Sequence, residues 1–231
     1  MATSRELFDS GRLNDAIAAV SAELRDNPTD VHRRTFLFEM LCFAGNWERA
    51  DKQLDLLAGQ DKDKRLGALL YRAALSADRT RHEMFEKNAA TVDAAASGGG
   101  TWNGKAFQSI EDADPRIGAR LEVLAGENYM WIPLAHIALI EMPAPKRLRD
   151  LLWAPATIHT GGAFQGSDLG QVLLPVLNPF SWKHSDDAVR LGRVTVWEEG
   201  VPFGQKMLLV DDEEVPLLAL RKLEISQPAA G

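Results

Sequence analysis

Apolar positions in the first hundred residues recur at helical spacing, and they do so twice. "LFDSGRLNDAIAAV" (7–20) and "LCFAGNWERADKQL" (41–54) align at an offset of 34 residues, pairing Leu7 with Leu41, Gly11 with Gly45, Leu13 with Trp47, Ala16 with Ala50 and Val20 with Leu54. That offset is the period of the tetratricopeptide helix–turn–helix unit. Leu13, Ala16, Ile17, Val20 and Leu24 form one apolar stripe, and Trp47, Ala50, Leu54 and Leu57 form its counterpart. Gly11 and Gly45 suit a left-handed helix end, Pro28 closes the first unit, and Asn46 stands where an N-cap belongs. A third unit is degenerate. Leu75 continues the offset, but Arg79 replaces the glycine, and Thr80 with Glu83 reads as a capping box opening a new helix. The pattern predicts about six helices between residues 4 and 96, the last unit acting as a cap.

The texture changes after "SGGGTWNG" (97–104). Five of the six tryptophans and ten of the eleven prolines lie beyond residue 100. "ARLEVLAGENYMWIPL" alternates across a turn at Gly126–Asn128 and predicts a hairpin. "HIALIEM", "ATIHT", "QVLLPV", "GRVTVWEE", "GQKMLLV" and "RKLEI" predict further strands, and "PKRLRDLLW" a short helix or turn. The expected class is α+β. A tetratricopeptide-like helical domain (1–96) is followed by a Gly-rich linker (97–104) and a β-rich, barrel- or sandwich-like domain (105–231).

Charge narrows the partners. The 231 residues carry a formal net charge of −7, and an acidic surface repels phosphate backbones, so no nucleic-acid partner is expected. The single cysteine, Cys42, excludes an internal disulfide framework and any multi-cysteine zinc site. The mixed-charge N-terminus does not read as a signal peptide, and no uncharged apolar run is long enough for a membrane span. A cytoplasmic protein with no membrane partner is expected.

Candidate chemistry is sparse. Asp211, Asp212, Glu213 and Glu214 are adjacent, and neighbours on an extended chain point to opposite sides, so they cannot all converge on one ion. An exposed acidic loop is expected there, and a cap or loop pair at Asp186 and Asp187. "RHEMFE" (81–86) places His82 and Glu83 as a zinc-protease helix would, but Glu86 stands where the second histidine belongs. His32, His82, His136, His159 and His184 are scattered. "TGGAFQGSDLG" lacks the Gly-Lys-Ser/Thr ending of a phosphate loop, and no Gly-x-Ser-x-Gly elbow is present. No catalytic, cofactor-binding or metal-ligating residue is therefore assigned. Stacked helix pairs do offer a groove for a partner's helix. "FLFEMLCF" (36–43) holds more apolar residues than one buried stripe needs. Either all of them are core, or Phe36, Met40 and Phe43 face a partner.

Four strings in order, "DPRIGARLEVLAGENYMWIPLAHI", "PKRLRDLLWAPA", "SDDAVRLGRVTVW" and "GQKMLLVDDEEVPLLALRKLEI", resemble the ImpE/TagJ (SciE-type) family of accessory proteins of bacterial type VI secretion. The resemblance runs from Asp114 to Ile225, and the helical repeat in front of it also fits the family. It implies a non-enzymatic adaptor without cofactor. Family members bind the small subunit of the contractile sheath through that subunit's N-terminal helix, and are linked to the AAA+ ATPase that disassembles contracted sheaths. Two other classes stay open from the residues alone: a generic repeat-type chaperone or scaffold, and a hydrolase using acids of the C-terminal half.

Overall fold

The computed structural model describes residues 2–59, 62–87, 98–161, 164 and 168–226. Its N-terminal half is helical: α1 (Ser4–Asp9), α2 (Leu13–Asp26), α3 (Val31–Phe43), α4 (Trp47–Ala58) and α5 (Lys62–Glu86). The alignment of the two repeats is visible in the backbone. Gly11 (φ 81°) and Gly45 (φ 65°) end α1 and α3 in the same way. Arg12 N–H donates to Leu7 O at 2.9 Å and Asn46 N–H to Leu41 O at 2.8 Å, the six-to-one bond of a Schellman motif. Gly45 has a second reason to be glycine, since a Cβ there would lie 2.4 Å from the Trp182 ring.

Two details differ from the sequence reading, and a third lies beyond it. Asn46 occupies the N-cap of α4 but its side chain makes no capping bond. The first turn of α2 is capped from the other half of the chain, Asp187 Oδ2 accepting from Leu13 N–H at 2.8 Å. No new helix starts at Thr80, because α5 runs unbroken for 25 residues and the Thr80 hydroxyl donates back to Ser76 O at 3.2 Å. With Arg79 in place of glycine, nothing stops the helix.

The C-terminal half is built on one eight-stranded antiparallel sheet. Its order is β2-β1-β13-β6-β7-β8-β4-β5, with β1 Gly100–Trp102, β2 Lys105–Phe107, β4 Arg120–Ala125, β5 Asn128–Pro133, β6 Ile137–Glu141, β7 Trp153–Thr160, β8 Gly170–Pro175 and β13 Lys222–Ile225. A three-stranded sheet, β12-β11-β3, combines Glu213–Pro216, Met207–Val210 and Ile110–Asp112, and β9 (Val196–Glu198) pairs with β10 (Val201–Phe203). The β4–β5 hairpin has the expected register, Ala125 facing Asn128 across Gly126 (φ 61°) and Glu127. Among the described residues, four 3-10 turns, including Leu148–Leu151, and a four-residue helix, α6 (Asp187–Arg190), connect the strands.

The glycine run is not all linker. Gly100–Trp102 is a strand paired with β13, Gly100 opposite Ile225. A Cβ on Gly100 would lie 2.0 Å from the Glu224 carbonyl oxygen, so the residue is small because two backbones approach closely. The helical half and the sheet also share a core. Phe38, Met40, Phe43 and Leu54 pack in one cluster with Leu124, Leu152, Trp153 and Leu191. A second cluster, including Val123, Ile140, Ile158, Leu174, Leu208 and Leu223, fills the β-rich half. Strand β4 therefore sits between two cores. Leu121 and Val123 face one, while Leu124 faces the helices.

Candidate functional site

The acidic quartet spans the turn of the β11–β12 hairpin and the first two residues of β12. Asp211 (φ 50°) and Asp212 (φ 67°) are its two central residues, Val210 pairs with Glu213, and all four acids are exposed. Positive φ at both central positions is the two-residue turn whose twist matches its strands. Asp211 also holds the preceding loop, its Oδ1 accepting from Gln108 N–H at 2.7 Å and Ser109 N–H at 2.9 Å. Asp186 caps α6 through Ala188 N–H at 2.8 Å.

The histidines do not gather. His82 is buried, with its Nδ1 2.7 Å from Asp78 O and its ring 5.6 Å from Trp47 and 5.4 Å from Phe180. Burial lowers its pKa. His159 pairs with Asp168 at 2.6 Å on the surface, and the half-buried His184 with Glu198 at 3.2 Å. Among the described residues no three His, Cys, Asp or Glu side chains form a metal-ligating group. Gly162 and Gly166 of the glycine-rich loop lie outside the described residues.

At the seam between the halves lies a buried charge network that the sequence pattern does not reveal. Glu122 on β4 accepts from Arg81 on α5 at 2.6 and 3.0 Å and from the Tyr129 hydroxyl at 2.6 Å, and pairs with Lys206 at 2.7 Å. Lys206 also donates to Asp112 at 2.6 Å, and Arg81 to Leu177 O at 2.9 Å. Burial alone would raise the Glu122 pKa, but the two cations outweigh it and hold the carboxyl well below the usual range. Asp112 has one cation and a neighbouring carboxylate, so burial wins and pushes it up to about 6. Arg81, Asp112, Glu122 and Lys206 are all buried, and the network ties α5 to the sheet.

Surfaces are more informative. Met40 and Phe43, two of the three residues offered as partner-facing, are 0 % and 1 % exposed and pack in the shared core. Phe36 is half-buried and lines an open groove beside α1. The four most exposed large apolar residues among those described lie elsewhere: Leu56 at the end of α4 (60 %) and Leu66, Leu69 and Leu70 on α5 (70, 59 and 54 %). The α5 leucines follow i, i+3, i+4 spacing, which places them on one helix face. Leu70 also borders a groove of about 350 Å³ running along Leu124, Pro155, Val172 and Leu173, with no charged residue in its lining. An uncharged groove beside exposed leucines accepts the apolar side of an amphipathic helix.

The chain is similar to known proteins along its length. The model of the ImpE protein family matches residues 104–224. The type VI secretion system accessory component TagJ of Pseudomonas aeruginosa is 31 % identical over 259 aligned positions, covering 96 % of this chain and 90 % of that protein. The crystal structure of protein VPA1032 from Vibrio parahaemolyticus superposes with a TM-score of 0.83 over 98 % of both chains at 21 % identity, a likeness of fold. A family model that spans more than half of the residues, together with a relative aligned almost end to end, establishes that the chain belongs to the ImpE family.

Proposed function

We propose that this chain is a non-enzymatic, cytoplasmic adaptor of bacterial type VI secretion. In this reading the helix pairs are tetratricopeptide-like units and the β-rich half is a barrel- or sandwich-like support. The partner is the small subunit of the contractile sheath, whose N-terminal helix docks on the helical half. The adaptor thereby links the sheath to the AAA+ ATPase that disassembles it. The observation that carries the reading is the leucine face of α5 beside an uncharged groove. In water an isolated short helix is marginal, so much of its ordering cost falls on binding and the affinity is set near micromolar, about −8 kcal/mol. Apolar anchors dominate, and basic residues on the partner helix speed encounter with a protein of net charge −7. Similarity to a secretion accessory component supports the system assigned.

Co-purification tests this. The sheath small subunit of the same bacterium should be retained by the immobilised chain, and a version lacking its N-terminal helix should not. Leu66→Ser with Leu69→Ser should release the intact subunit while leaving the melting temperature unchanged, since both side chains are exposed. Retention of the helix-less subunit contradicts helix capture, and indifference to the leucine changes moves the site off α5.

A further inference from the structure

The groove beside Phe36 has a chemistry opposite to that of the molecule. It lies between α1, the first turns of α3 and the segment 145–151, and encloses about 1200 Å³. Phe8 and Phe36 meet edge to face in its wall at 5.5 Å, and Leu148 and Leu151 contribute half-buried apolar surface. Five cations line it, Arg5, Arg33, Lys146, Arg147 and Arg149, against the carboxylates of Glu23, Asp30 and Glu39. Those carboxylates are already engaged. Arg33 takes Glu23 at 3.0 Å and also Asp30, and Arg149 takes Glu39 at 3.5 Å. Arg5 makes an exposed ion pair with Asp9 at 3.5 Å, of the kind that contributes little, and its guanidinium lies 5.7 Å from the Phe8 ring and 5.4 Å from the Phe36 ring. Lys146 and Arg147 are exposed, and among the described residues neither side chain forms an ion pair, although the Asp150 carboxylate accepts from their backbone N–H groups at 2.8 and 2.9 Å. A concave surface with an apolar wall and more cations than carboxylates in its lining thus sits on a chain of net charge −7.

We propose that this groove is a second docking site, which takes a protein segment carrying apolar anchors flanked by Asp or Glu. The cations provide the complementarity. Field lines focus in a concave, partly apolar cleft, so local sign rather than net charge selects the occupant. The aromatic wall favours a side-chain-bearing segment over a bare polyanion, and the concavity favours a peptide over a flat anionic membrane. The site is separate from the leucine face of α5 and does not depend on the sheath reading. An adaptor with two surfaces of different chemistry holds two partners at once.

The test uses the full chain and a designed, dye-labelled 14-residue helix with Leu at i, i+3, i+4 and i+7 and Glu on its polar face. Fluorescence anisotropy should show saturable binding that weakens at least tenfold in Lys146→Glu with Arg147→Glu, both exposed side chains whose change leaves folding intact by circular dichroism. Phe36→Ala should weaken it also, while Leu66→Ser with Leu69→Ser should leave it unchanged. No binding at 200 μM peptide, or binding indifferent to the charge reversal, overturns the proposal. So does a result in which the charge reversal abolishes binding to phosphatidylserine vesicles and the peptide is not bound. Loss of sheath-subunit retention with peptide binding intact would count against the adaptor reading and leave this site standing.

Discussion

Replacing Glu122 by Gln isolates the bond between the two halves. The carboxylate receives two bonds from Arg81, one from Tyr129 and an ion pair from Lys206, all within 2.6–3.0 Å. Glutamine keeps the shape but brings one acceptor and one amide donor, so an N–H is turned toward donors and two buried cations are left with Asp112 and the more distant Asp78. Breaking a buried pair from one side costs about 3–5 kcal/mol, because the desolvation of the remaining charge is no longer offset. For a chain of this size that is a fall in melting temperature of roughly 6–20 °C. Because the Glu122 pKa is depressed in the folded state, its contribution is complete above the ordinary value of 4.5 and fades as pH falls below it. The gap between wild type and variant, followed by differential scanning calorimetry from pH 7 to pH 3.5, should therefore narrow at the acid end. Adding Arg81→Met to Glu122→Gln should cost less than the sum of the two single changes, since the guanidinium that Glu122→Gln strands is then absent. A Glu122→Gln variant within 1 kcal/mol of wild type at pH 7 would refute the reasoning.

Other consequences can be checked in the same way. Asp112 has the opposite sign: its pKa is raised to about 6 from an ordinary 3.8, so it adds stability as pH falls through that interval and less above it. That interval corresponds to about 3 kcal/mol at most, and denaturant titrations should show wild type gaining on Asp112→Asn between pH 7 and pH 4.5. Gly100→Ala should destabilise by about 1–3 kcal/mol, because the new methyl meets the Glu224 carbonyl, and an unchanged denaturation midpoint would contradict the β1–β13 pairing. Asp212→Gly should stabilise by up to ~1 kcal/mol by relieving a left-handed φ of 67°, whereas Asp211→Ala should destabilise by about 1 kcal/mol through loss of two bonds to the 108–109 backbone.

How far the sequence can be read depends on the range of the interaction. Helices α1 to α4, the β4–β5 hairpin and the acidic turn are local. Spacing of apolar residues and glycines at left-handed positions set them, and the same signals predict them. The capping-box pattern at Thr80 predicts a break in α5, while in the fold tertiary packing of Ala74, Leu75, Arg81 and Phe85 carries the helix through. Strands β1, β2 and β3 are three residues long, too short for alternation to register, and they form only because distant partners such as Ile225 and Leu208 meet them. Glu122 reads as the solvent-facing member of an alternating strand. It is buried because β4 has a core on both faces, which no single-strand pattern reveals. Phe36, Met40 and Phe43 share one helix and similar apolarity, and only packing against the sheet separates the two that are core from the one that borders a groove. The exposed leucines of α5 are hidden for the same reason, since nothing in "RLGALLYRAAL" says which leucines face out.

Helix capture by α5 is the central claim. Isothermal titration of the full chain with a synthetic peptide of the sheath small subunit's N-terminal helix measures it directly. The expected result is one-to-one binding near micromolar affinity, with a modest loss when salt is raised. Alanine at the peptide's apolar anchors should abolish binding, and so should Leu66→Ser with Leu69→Ser in the chain. No heat at 100 μM peptide with both molecules intact, or full binding by the leucine variant, would contradict it.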